Sequence, residues 1–334
     1  MTDQPQAPPA GESHTVILMP VYEDWASAAE LVRRLDKALA NRPGSFEILA
    51  VDDRSVERAT AGMFGAAYAA IRRLRVLRLR RNLGHQRAIA VGLAYVESTI
   101  RCDAVMVMDA DGEDTPEGVV QLLDAFAATQ GSVAVFAERS RRTESLVFRM
   151  FYRFYKIAHR CLTGLGVRVG NFSILPAAYL TTLVAVSETW NHYAAAVFRS
   201  RLPYTMTPIP RGHRIAGVSR MNFTSLVGHG LSAISVFGDV VGVRLLMAST
   251  AGALLAGAGI LAVVAMRLFT DRAVPGWATY ATAALAIIMI QFITIAASFT
   301  FFALSSRTSL GFIPARDYPL FVAEATDLYC SDRT

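Results

Sequence analysis

Two long stretches without a charged residue constrain the fold of this chain most. Residues 245–266 and 273–306 contain no Asp, Glu, Lys or Arg, and each exceeds the roughly 20 apolar residues that cross a bilayer as a helix. Only a short polar break, Arg267-Leu-Phe-Thr-Asp271-Arg272, lies between them. Buried core helices seldom run this far without charge, so the pattern predicts a two-helix transmembrane hairpin over residues 241–306.

The overall composition fits a protein that works beside a membrane. The chain has 334 residues, of which 53% are hydrophobic, and a net charge of +6. Such a charge next to a bilayer favours anionic lipid headgroups and anionic substrates. No nucleic-acid-binding motif is present, so nucleic acid is not expected as a partner. Three widely spaced cysteines form neither a metal pattern nor a disulfide set, which fits a reducing compartment.

The N-terminal residues 1–14 are polar and lack the apolar core of a signal peptide. We expect them to form a disordered tail. Residues 15–221 should then stay in the cytoplasm, and a hairpin of two spans would return residues 307–334 to the same side as a cytoplasmic tail.

Short apolar strands alternate with amphipathic helices over residues 15–221. Strands are predicted near Thr15–Tyr22, Phe46–Val51, Leu74–Leu79, Ala104–Met108 and Ser132–Phe136. Helices are predicted at Trp25–Ala40, at Ala88–Val96 and from Pro116 onward. This alternation is typical of an α/β domain with a parallel, doubly wound sheet.

Two further segments have the pattern of helices at a membrane surface. Glu144–Leu162 mixes aromatic and aliphatic side chains with four basic residues, which is typical of interfacial helices and also of ordinary amphipathic helices that pack on a domain. Residues 222–240 lead directly into the first span and are predicted to form a juxtamembrane amphipathic helix.

The predicted fourth strand ends in four carboxylates within six residues: Asp109, Asp111, Glu113 and Asp114. Such a cluster repels itself unless a cation neutralises it, and Asp oxygens suit Mg²⁺ or Mn²⁺, which usually also bind substrate phosphates. An acidic turn followed by a helix cap would give the same pattern, because Asp114-Thr-Pro-Glu117 is also a good helix start.

Polar groups also follow three other predicted strands, at Pro20-Val-Tyr22-Glu23-Asp24, Asp52-Asp53 and Asn82-Leu-Gly84-His85. Carboxylates at the first two ends can accept hydrogen bonds from a nucleobase and a ribose, and the third end can approach a phosphate. Ligands of open α/β sheets bind beyond the carboxyl ends of the strands. The four strand ends together therefore predict a nucleotide site next to a cation.

Four segments resemble the successive motifs of the family 2 glycosyltransferases, which have the GT-A fold. They are Pro20-Val-Tyr22-Glu23, Val51-Asp52-Asp53-Arg-Ser55, Asn82-Leu-Gly84-His-Gln-Arg-Ala88-Ile-Ala-Val-Gly92 and Met108-Asp109-Ala-Asp111-Gly-Glu113-Asp114. The resemblance is closest to the polyprenyl-phosphate glycosyltransferases, a branch that includes dolichol-phosphate mannose synthase, and it covers residues 15 to 306. It implies an inverting, metal-dependent transfer of a sugar from a UDP- or GDP-sugar to a polyprenyl phosphate. The enzyme would be an integral protein of a bacterial inner membrane with its catalytic domain in the cytoplasm.

The resemblance also implies roles for single residues. Donor binding would fall to Pro20, Tyr22, Glu23, Asp52, Asn82 and Arg87. The metal ligands would be Asp109, Asp111 and Glu113, the last of which stands where relatives usually have Gln. The phosphates would be held by Arg139 and by the segment from residue 211 to residue 220, through Arg211, Arg214, Ser219 and Arg220.

One departure from the family pattern concerns the acceptor. Gly170-Asn171-Phe172-Ser173 aligns with a Gly-Asp-Phe-Arg segment at the acceptor site, so that Asn171 replaces a carboxylate and cannot take a proton. A phosphate monoester has a second pKa of about 6 and needs positioning more than deprotonation. The departure is therefore compatible with a lipid-phosphate acceptor, although Asp114 or Glu188 could act as a base on a hydroxyl.

Other functions stay open at this level. The first is transfer to a lipid hydroxyl, such as that of a ceramide or a diacylglycerol. The second is a membrane adaptor that binds nucleotide-sugars without turnover. A processive polysaccharide synthase is disfavoured because no Gln-x-x-Arg-Trp motif occurs near Glu188-Thr-Trp190. The identity of the sugar and any homo-oligomer are not determined by the sequence.

Overall fold

The computed structural model describes residues 13–65, 67–139, 160–164, 169–216, 228, 231–270, 276–308 and 311–331. The chain forms two compact units. The first comprises residues 1–145, 168–236 and 311–334, and the second comprises residues 146–167 and 237–310. Most of the predicted tail, most of the helix Glu144–Leu162 and most of residues 222–230 lie outside the described residues.

The first unit is an α/β domain, and the second contains two long helices. The strands are β1 (His14–Val21), β2 (Ser45–Asp52), β3 (Ile71–Leu79), β4 (Ala104–Val107), β5 (Ala134–Arg139), β6 (Val169–Pro176), β7 (Tyr204–Ile209) and β8 (Val322–Cys330). The helices are α1 (Trp25–Leu39), α2 (His85–Thr99), α3 (Pro116–Ala128), α4 (Leu180–Val184), α5 (Glu188–Asn191), α6 (Tyr193–Arg199), α7 (Gly238–Phe269), α8 (Trp277–Thr308) and α9 (Pro314–Asp317).

The eight strands form one sheet in the order β7-β5-β6-β4-β1-β2-β3-β8. Strands β4, β1, β2 and β3 run parallel, as the alternating pattern predicts. Strand β6 runs antiparallel to both of its neighbours, and β8 runs antiparallel to β3. The five predicted strands, β1 to β5, therefore run in the same direction as expected, and the strands that the pattern did not predict, β6 and β8, make the sheet mixed.

Alternating side chains along β1 supply two separate cores. Ile17, Met19 and Val21 pack on the face covered by α1 and α3, whereas Val16 and Leu18 pack on the face covered by α2. Successive side chains of a strand point to opposite faces. A strand buried on both faces therefore needs the continuous apolar run that β1 has.

Helix α2 approaches the sheet closely because Gly92 has no side chain. A Cβ atom at this position would lie 2.7 Å from Cδ1 of Leu18 and 2.8 Å from Cγ2 of Val51. Any larger residue would push the helix outward. The glycine thus helps to set the position of the first turn of α2, which begins at His85 beside the strand ends.

The C-terminal segment differs from its predicted role as a cytoplasmic tail. Strand β8 pairs with β3 along the edge of the sheet, and Nε of Arg75 donates to Oδ1 of Asp327 at 2.7 Å. Phe312 packs on Trp190 with the ring centroids 3.6 Å apart. Strand β3 carries a row of arginines that β8 meets with acidic residues, which gives the pairing an electrostatic component. His14, also assigned to a tail, begins β1.

Helices α7 and α8 are long and apolar enough to cross a membrane. Of the most apolar 18 residues in each helix, 11% are buried in Gly238–Phe269 and 0% in Trp277–Phe302. This low burial argues against core helices of a soluble protein. Gly252 lets the two helices pack closely, since a Cβ there would lie 2.7 Å from the ring of Phe292. The predicted pair of apolar helices is confirmed.

Candidate active site

The carboxylates after β4 form a tight loop in front of α3. The carboxylate of Asp114 accepts a hydrogen bond from the backbone N–H of Asp109 at 2.8 Å, and Asp114 is buried. The carboxylate of Asp111 accepts one from the backbone N–H of Glu113 at 3.0 Å. Thr115 then caps the helix through its hydroxyl, as the helix-start pattern predicts. The acidic cluster and the helix cap are therefore parts of the same loop.

Asp111 lies in an electrostatically strained position. Burial, followed by the neighbouring Asp109, raises its pKa to about 6, and Arg214 acts in the opposite direction. A divalent cation between the two carboxylates would relieve their repulsion. Two Asp oxygens and a substrate diphosphate are a usual ligand set for Mg²⁺ or Mn²⁺, so Asp109 and Asp111 fit such an ion.

Glu113 is not placed as a ready-made third ligand. Among the residues that the structure describes, no group of three His, Cys, Asp or Glu side chains could hold a metal ion. Glu113 instead forms an ion pair with Nη2 of Arg211. The three-ligand set therefore stays a prediction, whereas the Asp109 and Asp111 pair has the chemistry of a shared cation site.

A second loop, residues 211–216, lies against the acidic loop and brings two arginines to it. Nη1 of Arg214 lies 3.3 Å from Oδ2 of Asp111, and its Nη2 lies 2.6 Å from Oδ2 of Asp24. The backbone N–H of Ile215 donates to the carbonyl of Asp111 at 2.9 Å. The arginine-rich segment predicted to contact phosphates thus lies beside the predicted cation site.

Two glycines permit this close contact between the loops. A Cβ on Gly112, which has a φ of +87°, would lie 2.4 Å from Cγ1 of Ile215. A Cβ on Gly212 would lie 2.3 Å from Cγ2 of Thr115. The positive φ at Gly112 also disfavours any other residue. The close packing of residues 211–216 on the acidic loop is therefore encoded by two small residues.

The two carboxylates at the end of β2 bind neighbouring parts of the protein. Asp52 is 1% exposed; its Oδ2 lies 3.3 Å from Nη1 of Arg78, and its Oδ1 accepts from the backbone N–H of Ser55 at 2.8 Å. Asp53 accepts from the backbone N–H of Leu83 at 2.6 Å and of Gly84 at 2.8 Å. The predicted contact of Asp52 with base and ribose stays a prediction.

The end of β1 presents an open surface at the same edge. Pro20 is a buried part of the strand, and Tyr22 is 46% exposed. Glu23 has a φ of +54° and is tied to the β2 turn, since the hydroxyl of Ser55 accepts from its N–H and its carboxylate accepts from the N–H of Val56. The contact of Tyr22 with a nucleobase that the resemblance implies stays a prediction.

Asn171 is held in a directional chain of hydrogen bonds. The backbone N–H of Tyr193 donates to Oε1 of Gln86 at 2.8 Å, and Nε2 of Gln86 donates to Oδ1 of Asn171 at 3.1 Å. Nδ2 of Asn171 then faces Nε2 of His85 at 2.9 Å. The same nitrogen lies 3.2 Å from Oδ1 of Asp109. Asn171 is therefore connected to the cation site through His85.

His85 and Asp24 were not assigned to the site by sequence reasoning. Desolvation lowers the pKa of His85, but Asp109 and the other nearby carboxylates raise it by more, and the net shift is upward. Asp24 bridges to Arg214. Both lie in the polar segments that follow β3 and β1, and that position was the signal that could have found them.

The other predicted residues lie at varied distances from this centre. Asn82 donates to the carbonyl of Asp53 at 3.2 Å. Arg87 lies over the ring of Trp190, 5.2 Å from its centroid. Arg139 ends β5. The side chain of Arg139, and Ser219 and Arg220 entirely, lie outside the described residues.

The family assignment follows from the part of the chain that carries these strand ends. The model of the Glycosyl transferase family 2 matches residues 16–183, which is half of the chain. The match contains the ends of β1, β2, β3 and β4 as well as Asn171. This chain is a family 2 glycosyltransferase. Its mixed sheet with helices on both faces is the GT-A fold, as the resemblance implied.

Curated relatives of this glycosyltransferase match most of its length. One is the protein named uncharacterized glycosyltransferase YkcC of Bacillus subtilis (strain 168), which is 25% identical over 272 residues. The match covers 79% of this chain and 80% of the relative. Another is 29% identical over 267 residues, with 76% and 77% coverage. It is the undecaprenyl-phosphate 4-deoxy-4-formamido-L-arabinose transferase of Erwinia tasmaniensis.

Among solved structures, the glycosyltransferase is similar to glucosyl-3-phosphoglycerate synthase from Mycobacterium tuberculosis. That structure contains Mn²⁺, uridine diphosphate and glucosyl-3-phosphoglycerate; the two chains are 18% identical with a TM-score of 0.47. The match covers 70% of this chain and 81% of the other.

Proposed function

We propose that this glycosyltransferase moves a sugar from a UDP- or GDP-sugar to a polyprenyl phosphate at the cytoplasmic face of a bacterial inner membrane. The reaction would invert the anomeric centre and depend on Mg²⁺ or Mn²⁺. Binding of the nucleotide-sugar donor is supported by the four strand ends and by the loop of residues 211–216, which carries Arg211 and Arg214. The acceptor half is supported by the state of the candidate bases.

The observation that carries the acceptor class is that two candidate general bases are already engaged and that Asn stands at a third position. Asn171 cannot accept a proton and is fixed by Gln86. Asp114 is buried and holds the backbone of Asp109. Glu188 is paired with Nε of Arg199 at 3.1 Å. A lipid hydroxyl needs a base, whereas a lipid phosphate is already anionic near neutral pH.

The relatives support the same acceptor. The name of the Erwinia tasmaniensis protein gives undecaprenyl phosphate as the compound on which it acts, and the same name is carried by a protein of Klebsiella pneumoniae that is 27% identical over 247 residues. A polyprenyl phosphate is an anionic headgroup on a hydrophobic chain. Such an acceptor matches a basic protein with two exposed apolar helices.

The course of the chain supports a hairpin topology. The chain leaves the α/β unit before Gly238 and returns to it at residue 311, where β8 then joins the sheet. If α7 and α8 span a bilayer, both ends of the pair must lie on the side that holds the catalytic domain.

In the proposed reaction, an oxygen of the acceptor phosphate forms a bond to the anomeric carbon. The bond from that carbon to the nucleoside diphosphate breaks, and the leaving diphosphate keeps the electron pair. When bound, the cation at Asp109 and Asp111 would supply Lewis-acid stabilisation of that charge. Arg211 and Arg214 lie close enough to the same loop to neutralise diphosphate oxygens, and Asn171 would help to position His85.

The proposal is tested by incubating purified protein with radiolabelled UDP- and GDP-sugars, Mg²⁺ or Mn²⁺, and polyprenyl phosphate. Diacylglycerol and ceramide serve as hydroxyl acceptors in parallel. We expect a lipid product only with polyprenyl phosphate, and we expect mild acid to release the sugar. Product on a hydroxyl lipid alone would favour transfer to a lipid hydroxyl, and nucleotide-sugar binding without product from any lipid would contradict transfer.

A further inference from the structure

We infer that Glu113 is a positioning residue, which holds Arg211 as a ligand for a phosphate oxygen and does not itself bind the metal ion. The inference rests on the proposed function, because it assigns a task within the same site. It concerns a residue that the resemblance places among the metal ligands. The phosphate belongs either to the donor diphosphate or to the acceptor.

The first support is the ion pair. The carboxylate of Glu113 contacts Nη2 of Arg211, and both side chains are 21% exposed. A pair this sheltered is screened less by solvent than a surface pair. The carboxylate of Glu113 is thereby neutralised by an arginine of the adjacent loop and is not free to join Asp109 and Asp111.

The second support is the unused hydrogen-bonding capacity of the same arginine. Nε and Nη1 of Arg211 are buried and have no acceptor among the described residues. An unsatisfied buried donor is unfavourable, and more so when it is charged, so such groups call for an explanation. A phosphate oxygen is an acceptor that a guanidinium recognises well, and it would satisfy one of these two donors.

The third support is that the backbone fixes the two residues side by side. The N–H of Gly212 donates to the carbonyl of Glu113 at 2.8 Å. Gly212 packs so closely on Thr115 that a Cβ would not fit. The Glu113 carboxylate therefore meets an arginine whose main chain is already anchored. This is the arrangement expected of a residue that orients another.

The partners of the two arginines also favour a role for Glu113 in positioning Arg211 and not in binding the metal ion. The Arg214 guanidinium contacts both Asp24 and Asp111, and the Arg211 guanidinium contacts Glu113 alone among the described carboxylates. A cation that binds Asp111 must compete with Arg214. It need not compete with Arg211, so the Glu113 pair can persist while the metal is bound.

A Mn²⁺ titration followed by electron paramagnetic resonance tests the metal half without any turnover. The informative protein is the charge-neutral double variant E113A/R211A, because E113A alone would leave an unpaired arginine near the ion. We expect its Mn²⁺ affinity to stay within about threefold of the wild type, and D111N to lose at least about tenfold. A tenfold loss in the double variant would make Glu113 a ligand and overturn the inference.

A kinetic cycle tests the positioning half. R211A should raise the KM for the phosphate-bearing substrate about tenfold, since a charge-assisted contact is lost. E113A should raise the same KM in the wild type and have no further effect in R211A. E113Q, which keeps a neutral acceptor for Arg211, should fall between wild type and E113A. The control is E117A, which removes an exposed acid from the first turn of α3. It should change neither the KM for the nucleotide-sugar nor the KM for polyprenyl phosphate.

The choice of substrate separates the two phosphate sources. If the KM for the nucleotide-sugar rises, the ligand of Arg211 is the donor diphosphate; if the KM for polyprenyl phosphate rises, it is the acceptor. Additive effects of E113A and R211A would show that Glu113 does not act through Arg211. If wild-type protein transfers no sugar, the proposed function fails, yet the Mn²⁺ titration still decides whether Glu113 is a ligand.

Discussion

The Arg214 guanidinium bridges to Asp111, with 3.3 Å between Nη1 and Oδ2, while its Nη2 lies 2.6 Å from Asp24. This contact places a positive side chain where the proposed cation would need Asp111. Arg214 therefore competes with the metal in the free protein. It is also one of the arginines proposed to meet the diphosphate.

The first prediction is that R214Q has opposite effects on metal binding and on transfer. Removal of the competing charge should strengthen Mn²⁺ binding to the nucleotide-free protein about three- to tenfold, while the rate of sugar transfer falls at least about tenfold. Both are measured at pH 8, where Asp111, with a pKa of about 6, is ionised. R101Q removes an exposed arginine elsewhere and should change neither. Weaker Mn²⁺ binding in R214Q would contradict the competition.

The second prediction concerns the contact between the two loops. G212A would bring a Cβ 2.3 Å from Cγ2 of Thr115, so residues 211–216 must move outward. We expect transfer to slow about tenfold or more, because the arginines are displaced, while the thermal midpoint changes little. G62A meets open space and is the matched control. Full activity in G212A would show that the position of this loop does not matter for transfer.

The third prediction concerns the strand added to the edge of the sheet. D327N removes the partner of Arg75, whose Nε lies 2.7 Å from Oδ1 of Asp327. We expect the free energy of unfolding to fall by about 1 kcal/mol in urea denaturation of the detergent-solubilised protein. E324Q breaks the pair with Arg58, whose side chain is 64% exposed, and should cost less than about 0.5 kcal/mol. Equal effects of the two changes would argue against a specific contribution from Asp327.

The fourth prediction uses the cysteines as probes of burial. Burial raises the pKa of the Cys102 thiol to about 12, and Asp103 and Glu47 act in the same direction. At pH 8 only on the order of 10⁻⁴ of this thiol is the reactive thiolate. In single-cysteine variants, Cys102 should react with iodoacetamide at least about a hundredfold more slowly than Cys330, which is exposed. Similar rates would mean that the surroundings of the half-buried Cys102 do not raise the pKa of its thiol.

Local features of the site could be predicted because they depend on neighbouring residues. The Asp109 and Asp111 pair follows a buried strand, and Thr115 caps the next helix, as the sequence pattern indicates. Leu31, Leu35 and Leu39 of α1 are buried on one face, as their helical spacing predicts. The ion pair between Glu113 and Arg211 could not be predicted, because it joins two loops that are far apart in the chain.

The sequence by itself determined the α/β class, the two apolar helices and the row of polar strand ends, since periodicity and uncharged length are local properties of a chain. Only the tertiary structure decided that β8 completes the edge beside β3, because an exposed strand carries no local signal of its partner. It also decided which carboxylates near the sheet edge are held by other parts of the chain. Asp52, Asp114 and Glu113 are engaged by other groups, and that depends on which distant segments meet at the sheet edge.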